Sequence, residues 1–171
     1  LQDKRIVYDL SFVCFNYQLG IGNGMLLPAG PLRENLKNLK NYEAVFLNGN
    51  VKNENLINLI KRINHSIKIF DGKYFLANDE KFDKNKKYLA FTGIGNPKSF
   101  ENTLNEYKFK ILEKIYYPDH YNYTNKDIIE IKRKAKNYGL SIITTEKDYL
   151  RLNDDKKKDI DFLKIDLKIN D

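Results

Sequence analysis

Two short segments hold the side chains best suited to chemistry on anions and cations. Arg33 and Glu34 close the run Leu27-Pro28-Ala29-Gly30-Pro31-Leu32-Arg33-Glu34. A carboxylate beside a guanidinium at the end of a stiff Pro-Gly loop can ligate a hard cation while the guanidinium forks onto a phosphate. The same two residues can equally form a surface ion pair. His120 lies in Tyr117-Pro118-Asp119-His120-Tyr121. An imidazole flanked by a carboxylate, in a loop after a strand, suits acid/base work. It could also simply pack between its tyrosines.

Other reactive types are scarce. The chain holds one cysteine, Cys14, and two histidines, His65 and His120. That excludes an intramolecular disulfide framework and makes a zinc hydrolase site a poor fit. Cys14 sits inside an apolar run and is expected to be a small core residue. His65 follows a helical stretch and reads as a turn residue near the negative helix end. Gly20-Ile21-Gly22-Asn23-Gly24 is rich in glycine, but it lacks the spacing and the Lys-Ser/Thr pair of a phosphate-binding P-loop. On spacing alone it reads as a flexible turn.

The elements that must position these groups alternate. Apolar runs of strand length cover 9–16, 44–48, 88–92, 109–117 and 140–145, and a last one spans 160–169. Residues 67–70 and 74–77 flank Asp71-Gly72, a hairpin signal. Helical periodicity marks 53–64, Pro97 can open another helix, and Thr124 with Asp127 predicts a capped helix ending at Gly139. The order strand, loop, helix, strand predicts an α/β fold with mostly parallel sheets. In such sheets ligands gather beyond the carboxyl ends of strands. Four polar segments fall there: 20–34, 92–97, 118–123 and 144–148. Four in one short chain point to a built site. Residues 78–87 are polar and charged and are expected at or near a domain junction.

With 171 residues the chain fits one domain or two small ones, and 42% apolar residues are enough for a real core. Thirty Lys and Arg against 23 Asp and Glu leave a formal charge of +7. The charge is interleaved rather than blocked. It suits either a solvated surface or an anionic partner, whether nucleic acid, phosphorylated substrate or membrane surface. No zinc finger or RNA-binding aromatic signature accompanies it. No apolar run reaches the roughly 20 residues of a membrane-spanning helix.

Taken together the motifs resemble one family. Gly22-Asn23-Gly24 followed by Leu27-Pro28-Ala29-Gly30-Pro31-Leu32-Arg33-Glu34 looks like the signature loop of the tetraacyldisaccharide 4′-kinases, the lipid A kinases of Gram-negative bacteria. Ala90-Phe91-Thr92-Gly93-Ile94-Gly95-Asn96-Pro97, Pro118-Asp119-His120-Tyr121 and Thr144-Thr145-Glu146-Lys147-Asp148 resemble three further signatures in the family's order. The resemblance implies transfer of the ATP γ-phosphoryl group to the 4′-hydroxyl of a tetraacyldisaccharide 1-phosphate, with ATP and Mg²⁺ as cofactors. It implies that His120 and Arg33 are catalytic, that Asn23 and Gly24 bind the nucleotide, and that Glu34 is linked to the metal. It also implies work at the cytoplasmic face of the inner membrane, with the lipid A disaccharide precursor as partner and no nucleic acid. The 171 residues themselves are expected to be soluble.

The same resemblance sets an expectation about extent. The family's Walker-type loop, its dyad aspartate, its N-terminal membrane-associated helix and an Asp-Asp-Gly segment would all precede Leu1. The chain is therefore expected to be a C-terminal half. Residues 1–80 would be the remainder of a P-loop-type kinase core, and 81–171 a second, smaller α/β domain. Contact with the membrane would run through the missing N-terminal part. Two other readings stay open. One is a noncatalytic remnant or partner half that binds lipid or the missing half, and the other is a nucleic-acid-binding module supported by charge alone.

Overall fold

The computed structural model describes residues 8–170, which form two compact units. The first holds residues 8–75 and 167–170; the second holds Leu76–Asp166. The chain crosses between them inside one strand and returns inside another. Residues 78–87 lie within the second unit. There the Asn78 amide donates to Phe162 O and accepts from Lys164 N, and Lys84 pairs with Asp79.

The first unit is built on β1 (Phe12–Asn16), β2 (Ala44–Asn48), β3 (Lys68–Leu76) and β8 (Ile165–Asn170), in the sheet order β1-β2-β3-β8. β1 with β2 and β2 with β3 run parallel. The α-helix α1 (Glu54–Ile63) is capped by Asn53, whose side chain accepts from Leu56 N. Its Leu56 and Ile60 pack with Phe15, Val45, Leu47 and Ile67 into one core. The period of two then fixes what β1 does with its other side chains. Val13 and Phe15 join that core, while Phe12 and Cys14 point away and are exposed. Cys14 is therefore not the core residue expected from its apolar neighbours: the run is apolar on both faces, but only one is covered among the described residues.

Asp71-Gly72 is likewise not a hairpin. β3 runs through it unbroken, with Asp71 opposite Leu47 and Gly72 opposite Asn48. The glycine serves close packing instead of a turn. A Cβ at Gly72 would stand 2.4 Å from Phe46 Cζ and 3.1 Å from Leu167 Cδ1.

The second unit has the sheet order β5-β4-β6-β7, all parallel, from β4 (Lys87–Thr92), β5 (Lys110–Tyr116), β6 (Ser141–Thr145) and β7 (Ile160–Leu163). Here both faces are covered. Leu89, Phe91 and Ile142 pack against Ile128, Ile131 and Ala135 of α3 (Asn125–Tyr138). Tyr88, Ala90 and Ile143 pack against Phe100 and Leu104 of α2 (Pro97–Glu106). That is why β4 reads as a continuous apolar run. α3 starts at the expected capping box of Thr124 and Asp127 and ends at Gly139 in the left-handed region. The run 160–169 is two strands, not one. It breaks at Lys164, whose carbonyl accepts from Ala77 N and whose N–H donates to the buried Asn78.

Candidate functional site

Each unit gathers polar groups at the carboxyl ends of its strands, and each set is described by itself. In the first unit the loop after β1 is held by its own bonds. Asn16 Oδ1 accepts from Gln18 N and Leu19 N. Asn23 Nδ2 donates to Ala29 O at 2.8 Å, and Asn23 Oδ1 accepts from Met25 N. Gly30 N and Leu27 N donate to Leu26 O and Leu32 O, closing a compact turn around a cis Leu27-Pro28 bond. Gly24 takes a positive φ of 74°, which glycine adopts freely. Asn23 thus spends both ends of its amide on the loop, while Gly24 supplies a bend.

This loop walls a groove of about 920 Å³ bordered by Asn16, Gly22, Arg33, Glu34 and Asn38, with Phe12 on its apolar side. The Glu34 carboxylate accepts from Asn38 Nδ2 at 3.1 Å and from Tyr42 OH at 3.3 Å. Burial, then the charge of Glu34, pushes the Tyr42 hydroxyl above the ordinary phenol range. Arg33 is exposed, and among the described residues it makes no ion pair with Glu34.

Among the described residues no three His, Cys, Asp or Glu side chains cluster tightly enough to hold a metal ion. A single carboxylate such as that of Glu34 is a hard oxygen donor. That fits Mg²⁺ only in the mode where substrate phosphates and waters complete the shell.

In the second unit the segments 92–97, 118–123 and 144–148 converge. Their centre is Asp148, whose side chain is fully buried. Oδ2 accepts from Thr92 Oγ1 at 2.7 Å, Thr145 Oγ1 at 2.7 Å and Gly93 N at 3.1 Å. Asp148 N in turn donates to Thr145 Oγ1, so Thr145 caps α4 (Glu146–Leu150). Oδ1 faces Arg151 Nη1 at 3.3 Å, and Nη1 also donates to Gly93 O at 3.2 Å. The other guanidinium nitrogen, Nη2, meets His120 Nδ1 at 3.0 Å. His120 N donates to the same Gly93 carbonyl. Gly93 admits no larger residue without displacement, because a Cβ would lie 3.0 Å from Tyr123 OH and 3.1 Å from Pro118 O.

His120 does not pack between its tyrosines. Tyr117 and Tyr121 stack on each other at 4.7 Å, and the His120 side chain is 70% exposed. Its backbone sits in the left-handed region, at a φ of +60°. Tyr123, beneath, is buried edge-on to Phe91, and burial followed by the Asp148 charge pushes its hydroxyl well above the ordinary range. Sequence reasoning stopped at Asp148 and missed Arg151. A signal was present: Thr145-x-x-Asp148 repeats the spacing of Thr124-x-x-Asp127, and Arg151 lies one helical turn beyond the aspartate.

A sequence model of the family described as tetraacyldisaccharide-1-P 4′-kinase matches residues 1–171. The chain belongs to this family. A tetraacyldisaccharide 4′-kinase of Pelagibacter ubique is 53% identical over 174 residues, covering all of this chain and 55% of the relative. One from Rickettsia bellii is 38% identical over 155 residues, covering 90% of this chain and 47% of the relative. The chain spans about half the length of the curated 4′-kinases it matches. Among solved structures, the LpxK of Aquifex aeolicus, in complex with ATP, superposes with a TM-score of 0.65 at 21% identity. It covers 99% of this chain and 51% of that one. The α/β fold with parallel sheets is therefore that of a 4′-kinase.

Proposed function

We propose that this chain is part of a kinase that moves the γ-phosphoryl group of ATP to the 4′-hydroxyl of a tetraacyldisaccharide 1-phosphate. The observation that carries the reading is the presentation of His120: its ring is exposed at the strand ends and tied by Arg151 to a buried carboxylate. An imidazole so held can hydrogen-bond and orient the group that takes the proton of an attacking hydroxyl, the step that phosphoryl transfer asks of protein side chains besides charge stabilisation. Arg33, unpaired with its neighbour, would steady phosphate oxygens. Glu34 would be the carboxylate that holds Mg²⁺, and the ion would supply positive charge against the developing charge of the phosphates. The Asn23-Gly24 turn would line the nucleotide side of the groove, Asn23 by holding the loop and Gly24 by letting backbone come close. The excess of positive charge suits an acidic lipid at the anionic cytoplasmic face of the inner membrane.

The decisive experiment is His120→Ala in the full-length kinase. Turnover should fall by roughly 10²-fold, the scale of acid/base groups. The melting temperature should change little, because an exposed ring makes few core contacts. Near-normal turnover would remove His120 from the mechanism.

A further inference from the structure

The contacts of Arg151 go beyond packing. The guanidinium is one-fifth exposed, and its two terminal nitrogens divide their work. Nη1 is anchored inward on Asp148 and the Gly93 carbonyl, and Nη2 is presented to His120 Nδ1. Asp148 itself cannot shift, since Thr92, Thr145 and Gly93 N hold its second oxygen.

A guanidinium only donates. The nitrogen facing Nη2 at hydrogen-bond distance must therefore present a lone pair. Nδ1 is the acceptor, and the ring proton sits on Nε2. The Asp119 carboxylate stands 3.9 Å from Nε2, beyond hydrogen-bond reach, and accepts the His120 backbone N–H. Nε2–H thus points from an exposed ring with no partner of its own among the described residues.

We propose that Arg151 is a positioning residue that locks His120 as the Nε2–H tautomer, so that the ring meets the reacting groups as a hydrogen-bond donor through Nε2. Asp148 is the anchor of this device. The activity part rests on the kinase reading above, while the tautomer does not.

The test has two arms. In the 171-residue chain labelled with ¹⁵N-histidine, only His65 and His120 contribute ring signals. The exposed His65 serves as an internal reference. The two ring nitrogens of His120 should be resolved, with Nδ1 at the unprotonated position and Nε2 at the protonated one. In Arg151→Met they should move toward the averaged pattern of His65, and Arg151→Lys should restore part of the separation. A His120 pattern that matches His65 in the unaltered chain, or that ignores Arg151→Met, overturns the proposal.

In the full-length kinase, Arg151→Met should lower kcat about tenfold, less than the loss expected on removing the imidazole itself. KM for ATP should hold. In a His120→Ala background the same change should have no further effect, because a residue acting through another is silent once that other is gone. An equal loss in both backgrounds means that Arg151 acts directly and overturns the positioning role. If His120→Ala alone leaves turnover normal, the kinase reading of His120 fails, and the ring signals still decide whether Arg151 sets the tautomer.

Discussion

The two units solve the same problem with opposite means. In the first, the polar loop holds itself: Asn23 ties its ends and backbone bonds close its turns, so Arg33 and Glu34 stand at the rim of an open groove. In the second, three loops far apart in sequence are tied to one buried carboxylate, and His120 is held at the end of that chain of contacts. The sheets differ in the same sense. β4 is covered on both faces, whereas β1 exposes Phe12 and Cys14. Substitutions in the first unit's loop should therefore be felt in ligand binding, and those at Asp148 in folding.

The largest effect should come from Asp148→Ala. It removes the acceptor shared by Thr92, Thr145, Gly93 N and Arg151, and it leaves buried donors unpaired. About 3 kcal/mol of stability should be lost in the second unit, the low end for breaking a buried ionic network. Hydrogen exchange locates the loss: amides of β4 and β6 should lose protection while those of β1 and β2 keep theirs. Equal loss in both sheets would break the contrast between the units.

Glu34→Gln probes the other side of the comparison. In the full-length kinase it should weaken magnesium-dependent turnover by roughly tenfold, as changes around bound metals commonly do. Stability should stay within about 0.5 kcal/mol, as for a surface substitution. A magnesium titration that matches the unaltered enzyme would return Glu34 to the role of a loop contact for Asn38 and Tyr42.

The smallest effect sharpens the contrast between the two Thr-x-x-Asp boxes. Asp127 is on the surface, and the Thr124 hydroxyl holds its carboxyl below the usual range. A depressed carboxyl stabilises the fold fully above its unfolded value near about 3.9 and loses that contribution as pH falls through the lower folded value. Thr124→Ala should cost about 1 kcal/mol at neutral pH, the usual cost of losing an N-cap. It should also flatten the acid limb of a urea-midpoint profile below about pH 4. An unchanged slope would mean that the box does not carry the acid sensitivity.

Much of this was legible in the chain itself. Short-range signals were reliable where one local interaction decides the structure: Thr124 with Asp127 starts α3, Gly139 ends it, and Pro97 opens α2. The apolar run at 88–92 announced a strand covered on both faces. Asp71-Gly72 and 160–169 misled for one shared reason. A glycine that bends a hairpin and one that admits a neighbouring Phe46 ring look alike in sequence. A strand that continues looks like two strands that part at an Asn78 contact made from 86 residues away.

The site divides along the same line. Residue order alone determined that Arg33 and Glu34 are neighbours, that His120 follows Pro118-Asp119, and that four polar segments end the strands. Those facts need only the chain's connectivity. Only the tertiary structure decided that Asp148 is buried, that Thr92 and Gly93 donate to it, and that Arg151 reaches His120. Contacts between residues 31 to 56 positions apart exist because parallel strands β4 and β6 lie side by side with α4 beyond them. Such pairing comes from the burial of both sheet faces, which no local motif encodes.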